Sequence, residues 1–264
     1  MALCRVIMAS SSLFAAYRKI LAPVDVALLD KSRHSDPIHA GLSGLFLAGY
    51  SPYLTTASKR VMVVGRETRQ WNVLRADRPF IDKDDYLEKA IAESQNYLKD
   101  ALAQSADPGC SFFNFVRDLA IRYGHDGIIW ANLFCFSWKG GSPMRADLFK
   151  TIRDISERFL KAQITHLRPD MIIFANGSSS AYVRQTFFPH KNPGSVCSDS
   201  RHYTEQGIAK GQLWSFRLYG QIPCYRIQHP SSRSRQARAA RTALLQLLDS
   251  DQLNPCRTPA PTPH

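Results

Sequence analysis

Acidic residues are in short supply in this chain. Its 264 residues carry 22 Asp and Glu against 34 Lys and Arg, a formal net charge of +12. That surplus argues against cationic partners and favours polyanions, nucleic acid first because its phosphate charge is so dense. Clustered cysteine is also missing. Cys4, Cys110, Cys135, Cys197, Cys224 and Cys256 lie far apart, with no CxxC and no Cys/His pair at zinc spacing. Nothing here suggests a disulfide framework or a zinc module, and a reducing cytoplasm fits best. Cys135 and Cys224 fall on expected strands and read as small buried hydrophobes. No apolar stretch approaches membrane-spanning length, and the opening MALCRVIMASSSLF, broken by Arg5 and a serine run, makes a poor signal peptide. No internal repeat is found. The expectation is a soluble, cytoplasmic monomer that does not engage a membrane.

What is present is ordinary globular material, 44% apolar and 21% charged, and long enough for one sizeable α/β core. Helices are expected at residues 10–22, 82–105, 112–123, 145–166, 176–188 and 232–248. Ser11 or Ser12 is the expected cap of the first, and Gly124 the left-handed stop of the third. Strands are expected at 61–64, 127–136, 171–175, 213–219 and 223–228. Residues 31–53 and 189–211 read as irregular, 138–143 as a mobile loop, and 255–264 as disordered. This alternation predicts a central, mainly parallel sheet with helices on both faces. The expected organisation is an N-terminal helix and loop extension at 1–60, an α/β domain at 61–250, and a tail at 251–264.

The chemistry gathers where apolar runs end in polar side chains. In VMVVGRETRQW, residues 61–71, a buried strand meets Gly65 and delivers Arg66 and Glu67 to the edge of a sheet, where open α/β folds bind ligands. GIIWANLF ends a second strand near Asn132, and CYRIQHPSS leads out of another at His229. Glu67 can orient a water and stabilise a cationic sugar, or simply pair with Arg66 or Arg69. Asn132 offers a donor and an acceptor to a heterocycle edge, or caps the turn that follows it. His229 can stabilise negative charge as a neutral donor or as imidazolium. Ser231 and Ser232 can bond phosphates, or one of them can cap the helix ahead. Arg233, Arg235, Arg238 and Arg241 supply charge along that helix, and Ser178 sits in a turn whose amides can bind a phosphate.

Together these three segments, in this order, resemble the uracil-DNA glycosylase superfamily across roughly residues 60–248. In that family a strand ends in a Gly-x-Asp-Pro-Tyr type loop, a second ends in a base-reading Asn, and a His-Pro-Ser segment enters the duplex. The corresponding residues here are Gly65-Arg66-Glu67-Thr68-Arg69, Asn132, and His229-Pro230-Ser231-Ser232-Arg233. The resemblance implies a uracil-DNA glycosylase-like fold and a monofunctional enzyme needing neither metal nor cofactor. Glu67 would position water, Asn132 would read the flipped base, His229 would stabilise the departing base, and Arg233 would fill the gap in the duplex. The chain departs from the pattern in having Glu for Asp and in lacking the loop proline.

The family's aromatic residue that walls off the pyrimidine C5 position is replaced by Arg69, followed by Gln70 and Trp71. With Gly65, Arg66, Trp138 and Lys139, these residues suggest a pocket for a bulky, polar modified base. The resemblance extends, more loosely, to phage-defence glycosylases that excise glucosylated hydroxymethylcytosine. The competing expectations are a plain uracil-DNA glycosylase, a catalytically inactive DNA-binding module of the same fold, and an α/β hydrolase acting on free nucleosides or nucleotides.

Overall fold

The computed structural model describes residues 2–29, 38–74, 80–191 and 193–253. In chain order the elements are α1 (Ala2–Leu21), β1 (Gly49–Tyr50), β2 (Val61–Gly65), α2 (Lys83–Ala103), α3 (Ser111–Tyr123), β3 (Ile128–Asn132), α4 (Phe149–Leu167) and β4 (Met171–Phe174). They continue with α5 (Ala181–Phe187), β5 (Cys197–His202), β6 (Leu213–Leu218), β7 (Ile222–Ile227) and α6 (Arg235–Leu253).

The seven strands form one sheet in the order β1-β3-β2-β4-β7-β6-β5. Its centre, β3-β2-β4-β7, is parallel, whereas β1, β6 and β5 pair antiparallel. The sheet is therefore α/β but mixed, rather than mainly parallel throughout. The cause is local: residues 197–227 return on themselves as a meander, so β6 and β5 extend the edge beyond β7 antiparallel. Every residue of β2, β3 and β4 is buried, so layers cover both faces of the centre.

The residues before Val61 contribute to the same core. Leu13, Tyr17, Ile20 and Leu21 of α1 are buried in it, and the Tyr17 ring meets Phe159 of α4 edge-on at 5.3 Å. Residues 42–46 run beside the extension of β3, with the Phe46 amide donating to the Cys135 carbonyl and the Ser43 amide to that of Ser137.

Several ends differ from the expected ones for identifiable reasons. Ser11 and Ser12 lie inside α1, and Ser12 meets His166 instead of capping. Gly124 does have a positive φ of 83°, but its ψ of 145° is extended rather than left-handed helical. Ser142 and Pro143 open a short 3₁₀ turn that delays α4 to Phe149. The helix expected from Asn176 starts only at Ala181, because Gly177 (φ 77°) turns the chain first. Ser234, not Ser231 or Ser232, accepts an amide in the first turn of α6. Residues 138–143 include a tight hairpin: Trp138 and Gly141 exchange both backbone hydrogen bonds, and Lys139 (φ 48°) and Gly140 (φ 71°) occupy the left-handed corners. The expected irregular stretch 31–53 lies partly outside the described residues and contains β1, while α6 runs to Leu253, into the expected tail 251–264, whose residues 254–264 lie outside the described ones.

Candidate functional site

From β2 the chain crosses to β3 on one side and then returns past it to β4 on the other. The carboxyl end of β2 is thus the point at which the strand order reverses, where open α/β sheets form a ligand crevice. Because β2, β3, β4 and β7 are mutually parallel, their carboxyl ends share one edge. Gly65, Asn132, the turn 176–178 and the pair Gln228-His229 all lie along it.

Gly65 and Asn132 are direct partners in the register of β2 and β3. A Cβ at position 65 would lie 2.4 Å from Asn132 Oδ1 and 3.3 Å from the Phe112 ring. Glycine is required here so that the Asn132 amide can lie over the backbone. Asn132 is only 7% exposed, and its Nδ2 has no hydrogen-bond partner within the protein. The β3 extension then fixes the start of the β2 loop, as the amides of Leu133 and Phe134 donate to the carbonyls of Gly65 and Arg66.

Arg66 clasps Glu67 with two hydrogen bonds, Nε to Oε2 at 2.6 Å and Nη2 to Oε1 at 2.7 Å. The Glu67 side chain is only 3% exposed. This bidentate pair, outweighing the cost of partial burial, raises the pKa of Arg66. A third nitrogen, Arg66 Nη1, reaches Ser179 Oγ at 3.3 Å and ties the β2 loop to the turn after β4. The Thr68 hydroxyl is buried without a partner.

His229 stacks on Phe112, with ring centroids 5.8 Å apart and planes 20° from parallel. The Ser231 amide donates to His229 Nδ1 at 3.2 Å, and the Ser231 hydroxyl lies 2.7 Å from the same atom. An Nδ1 that accepts leaves the proton of the neutral ring on Nε2. Burial, reinforced by the positive charges of Arg66, Arg69 and Arg241, pushes the His229 pKa down to about 4. At neutral pH the ring is an uncharged Nε2–H donor. Its loop is fixed from α6, where Arg241 Nη1 donates to the carbonyls of Pro230 and Ser232. Gln228 Oε1 accepts the Ser178 amide, closing the β7 and β4 ends against each other.

The other expected site residues distribute unevenly. Arg69 is exposed, and its charge reaches His229. Trp71 is buried, its ring packed among Phe46, Tyr97 and Trp130 at 5.5–5.8 Å. Trp138 packs against Gly41 with the Lys139 ammonium above its ring, and their hairpin approaches the Gln70 side chain through Gly140. Ser231, Arg233 and Arg235 are exposed, and Ser232 closes a turn by donating its amide to the His229 carbonyl. Arg238 donates to the Arg233 carbonyl. The basic residues Arg238 and Arg241 therefore brace the loop after β7.

Sequence reasoning missed Phe112 as part of this edge, took Arg241 only as charge for phosphate contacts, and took Asn176 only as part of a phosphate-binding turn. Asn176 is 1% exposed, with both amide atoms unpartnered. Phe112 left one trace, an adjacent Phe112-Phe113 pair in the first turn of a helix, half-buried rather than core. Among the described residues, no group of three or more His, Cys, Asp or Glu is placed to hold a metal ion, and no helix is long and apolar enough to cross a membrane. No family model matches the chain, and no curated protein does either.

Proposed function

We propose that the chain is a monofunctional DNA N-glycosylase with a uracil-DNA glycosylase-like fold. It extrudes a pyrimidine from duplex DNA and hydrolyses its bond to deoxyribose. The observation that carries this reading is the meeting of Gly65-Arg66-Glu67, Asn132 and His229 at one sheet edge, joined through Phe112, which touches both Gly65 and His229.

Each group has a part in the proposed step. Phe112 offers a ring face to the extruded base, and the unpartnered Asn132 amide offers it a donor. As the C1′–N1 bond breaks, its electron pair moves onto the base, whose carbonyl oxygen accepts from His229 Nε2–H. A neutral donor suits this role because it stabilises the oxyanion without a prior protonation event. Glu67, clasped by Arg66, stabilises the cationic sugar and orients the water that adds to C1′. The proton of that water leaves to solvent or to the carboxylate. The product is an abasic site and a free base.

Arg69, exposed where uracil-specific members of that superfamily carry an aromatic wall, supports a base with a large polar C5 substituent, glucosylated hydroxymethylcytosine among them. On this reading the enzyme serves anti-phage defence and works as a cytoplasmic monomer. The net charge of +12 supports duplex DNA as the partner. Mass spectrometry of bases released from matched duplexes carrying uracil or glucosylated hydroxymethylcytosine tests the reading. Release of the glucosylated base supports it in full, and release of uracil alone retains the glycosylase but removes the bulky pocket. The clasped, nearly enclosed Glu67 favours one other reading, an inactive DNA-binding module of the same fold. Duplex binding with no base released from any substrate identifies that module.

A further inference from the structure

Away from the crevice, two arginines are buried without a counter-charge. Arg184 of α5 is 1% exposed and Arg226 of β7 is 9% exposed. Among the described residues no carboxylate pairs with either. Arg184 Nε and Nη1 and Arg226 Nε have no hydrogen-bond partner, and Arg226 Nη1 donates to the Gly211 carbonyl at 2.6 Å. A buried cation is normally paired, because nothing else replaces the hydration it loses on leaving water. Here burial disfavours the charged form of both, and at Arg184 the charge of Arg226 adds to it. Burial, then the charge of Arg226, pushes the Arg184 pKa down to about 10.

The surroundings orient these groups. Arg226 is the register partner of Phe174 on one side and of Trp214 on the other, so the three side chains share one face of the sheet. The Arg184 guanidinium lies over that row, 4.9 Å from the Trp214 ring centroid, 5.8 Å from Phe216 and 5.9 Å from Phe174. These rings hold the guanidinium in place, and its unpartnered Nε and Nη1 remain for a ligand. His190 meets the edge of Trp214 at 5.6 Å, and burial together with Arg184 and Lys191 holds it neutral more strongly than usual.

We propose that Arg184 and Arg226 form a binding site for a compact phosphate group, free or terminal on a nucleotide or nucleic-acid strand, on the face of the sheet over β4, β7 and β6. A phosphate fits better than a carboxylate because two guanidinium forks present more donors than one carboxylate can accept. A terminal group is required, since side chains this deeply buried are out of reach of an internal phosphodiester. The site does not depend on the glycosylase reading, as none of its residues lies in the crevice.

Unfolding midpoints of the full chain test it, measured with inorganic phosphate, with a short oligonucleotide bearing a 5′-phosphate, and with the same oligonucleotide ending in hydroxyl. Chloride at matched ionic strength is the control. The expected result is a saturable phosphate-dependent rise that Arg184→Met and Arg226→Met weaken in affinity by about 10- to 100-fold, the loss of charge-assisted hydrogen bonds. A larger rise with the 5′-phosphate than with the hydroxyl end identifies a strand terminus as the source, and a rise with inorganic phosphate alone identifies the free anion. Should a methionine variant not fold, ³¹P line broadening of phosphate by the wild-type chain, competed by pyrophosphate, replaces it. A wild-type midpoint and ³¹P line that phosphate leaves unmoved would overturn the proposal, as would a folded variant that binds as tightly as wild type.

Discussion

Gly65 shows how one missing side chain shapes a site. With its would-be Cβ at 2.4 Å from Asn132 Oδ1, Gly65→Ala must push the amide away from the edge of β2. The expected cost is about 1–3 kcal/mol of stability from overpacking, with loss of base discrimination beyond what that destabilisation explains. Denaturant midpoints measured beside base release separate the two effects. At His229 the sign of the pH effect is fixed by a depressed pKa. The unfolded ring takes up a proton below about 6.5, its ordinary value, while the folded ring resists until about 4. Stability contributed by the neutral ring is therefore complete above that ordinary value and is lost as pH falls through the interval toward 4. On the proposed function, kcat/KM shows no histidine inflection near neutrality, and His229→Gln abolishes the stability loss over the same interval. An acid limb centred near the ordinary histidine value in the wild type would contradict the buried, uncharged ring.

The elements around the crevice make further claims. Arg241 of α6 holds the carbonyls of Pro230 and Ser232, so Arg241→Met frees the loop behind His229. The expected loss is about 1 kcal/mol of stability, with kcat/KM falling further than binding, since the His229 donor loses its fixed position. Lys139 occupies a left-handed corner that asparagine tolerates better. Lys139→Asn is expected to raise stability by about 0.5–1 kcal/mol and, if the lysine contacts phosphate, to reduce the salt slope of DNA binding by about one. At this scale the sequence was most legible where apolar periodicity was strong. β2, β4, α2 and α3 lie close to their expected ranges because buried runs and amphipathic stripes report directly on packing. β3, expected over 127–136, instead ends at Asn132 although the buried run continues past it. β5 was invisible: Cys197–His202 is almost wholly exposed and held by pairing with β6, so no hydrophobic alternation marks it. β1 has only two residues and was lost among prolines and glycines. The late starts of α4, α5 and α6 reflect turn geometry that helical periodicity does not encode.

For the molecule as a whole, the parallel centre turns separated motifs into neighbours. Strand ends at Gly65, Asn132 and His229 were readable one by one, and the topology places their carboxyl ends on one edge. The contacts of Phe112 and Arg241 to the site were not readable, because they come from helices whose docking no local pattern specifies. The surplus of positive charge predicts duplex binding that weakens steeply with salt, whereas an enzyme of free nucleosides would be nearly indifferent to it. The most direct test of the account compares wild type with Glu67→Gln in single-turnover base release and duplex binding, measured in parallel on DNA containing uracil or glucosylated hydroxymethylcytosine. The account predicts release slowed by about 10²- to 10⁴-fold in the variant, with duplex affinity unchanged. Equal release by the two proteins, or no release by the wild type from either DNA, would contradict it.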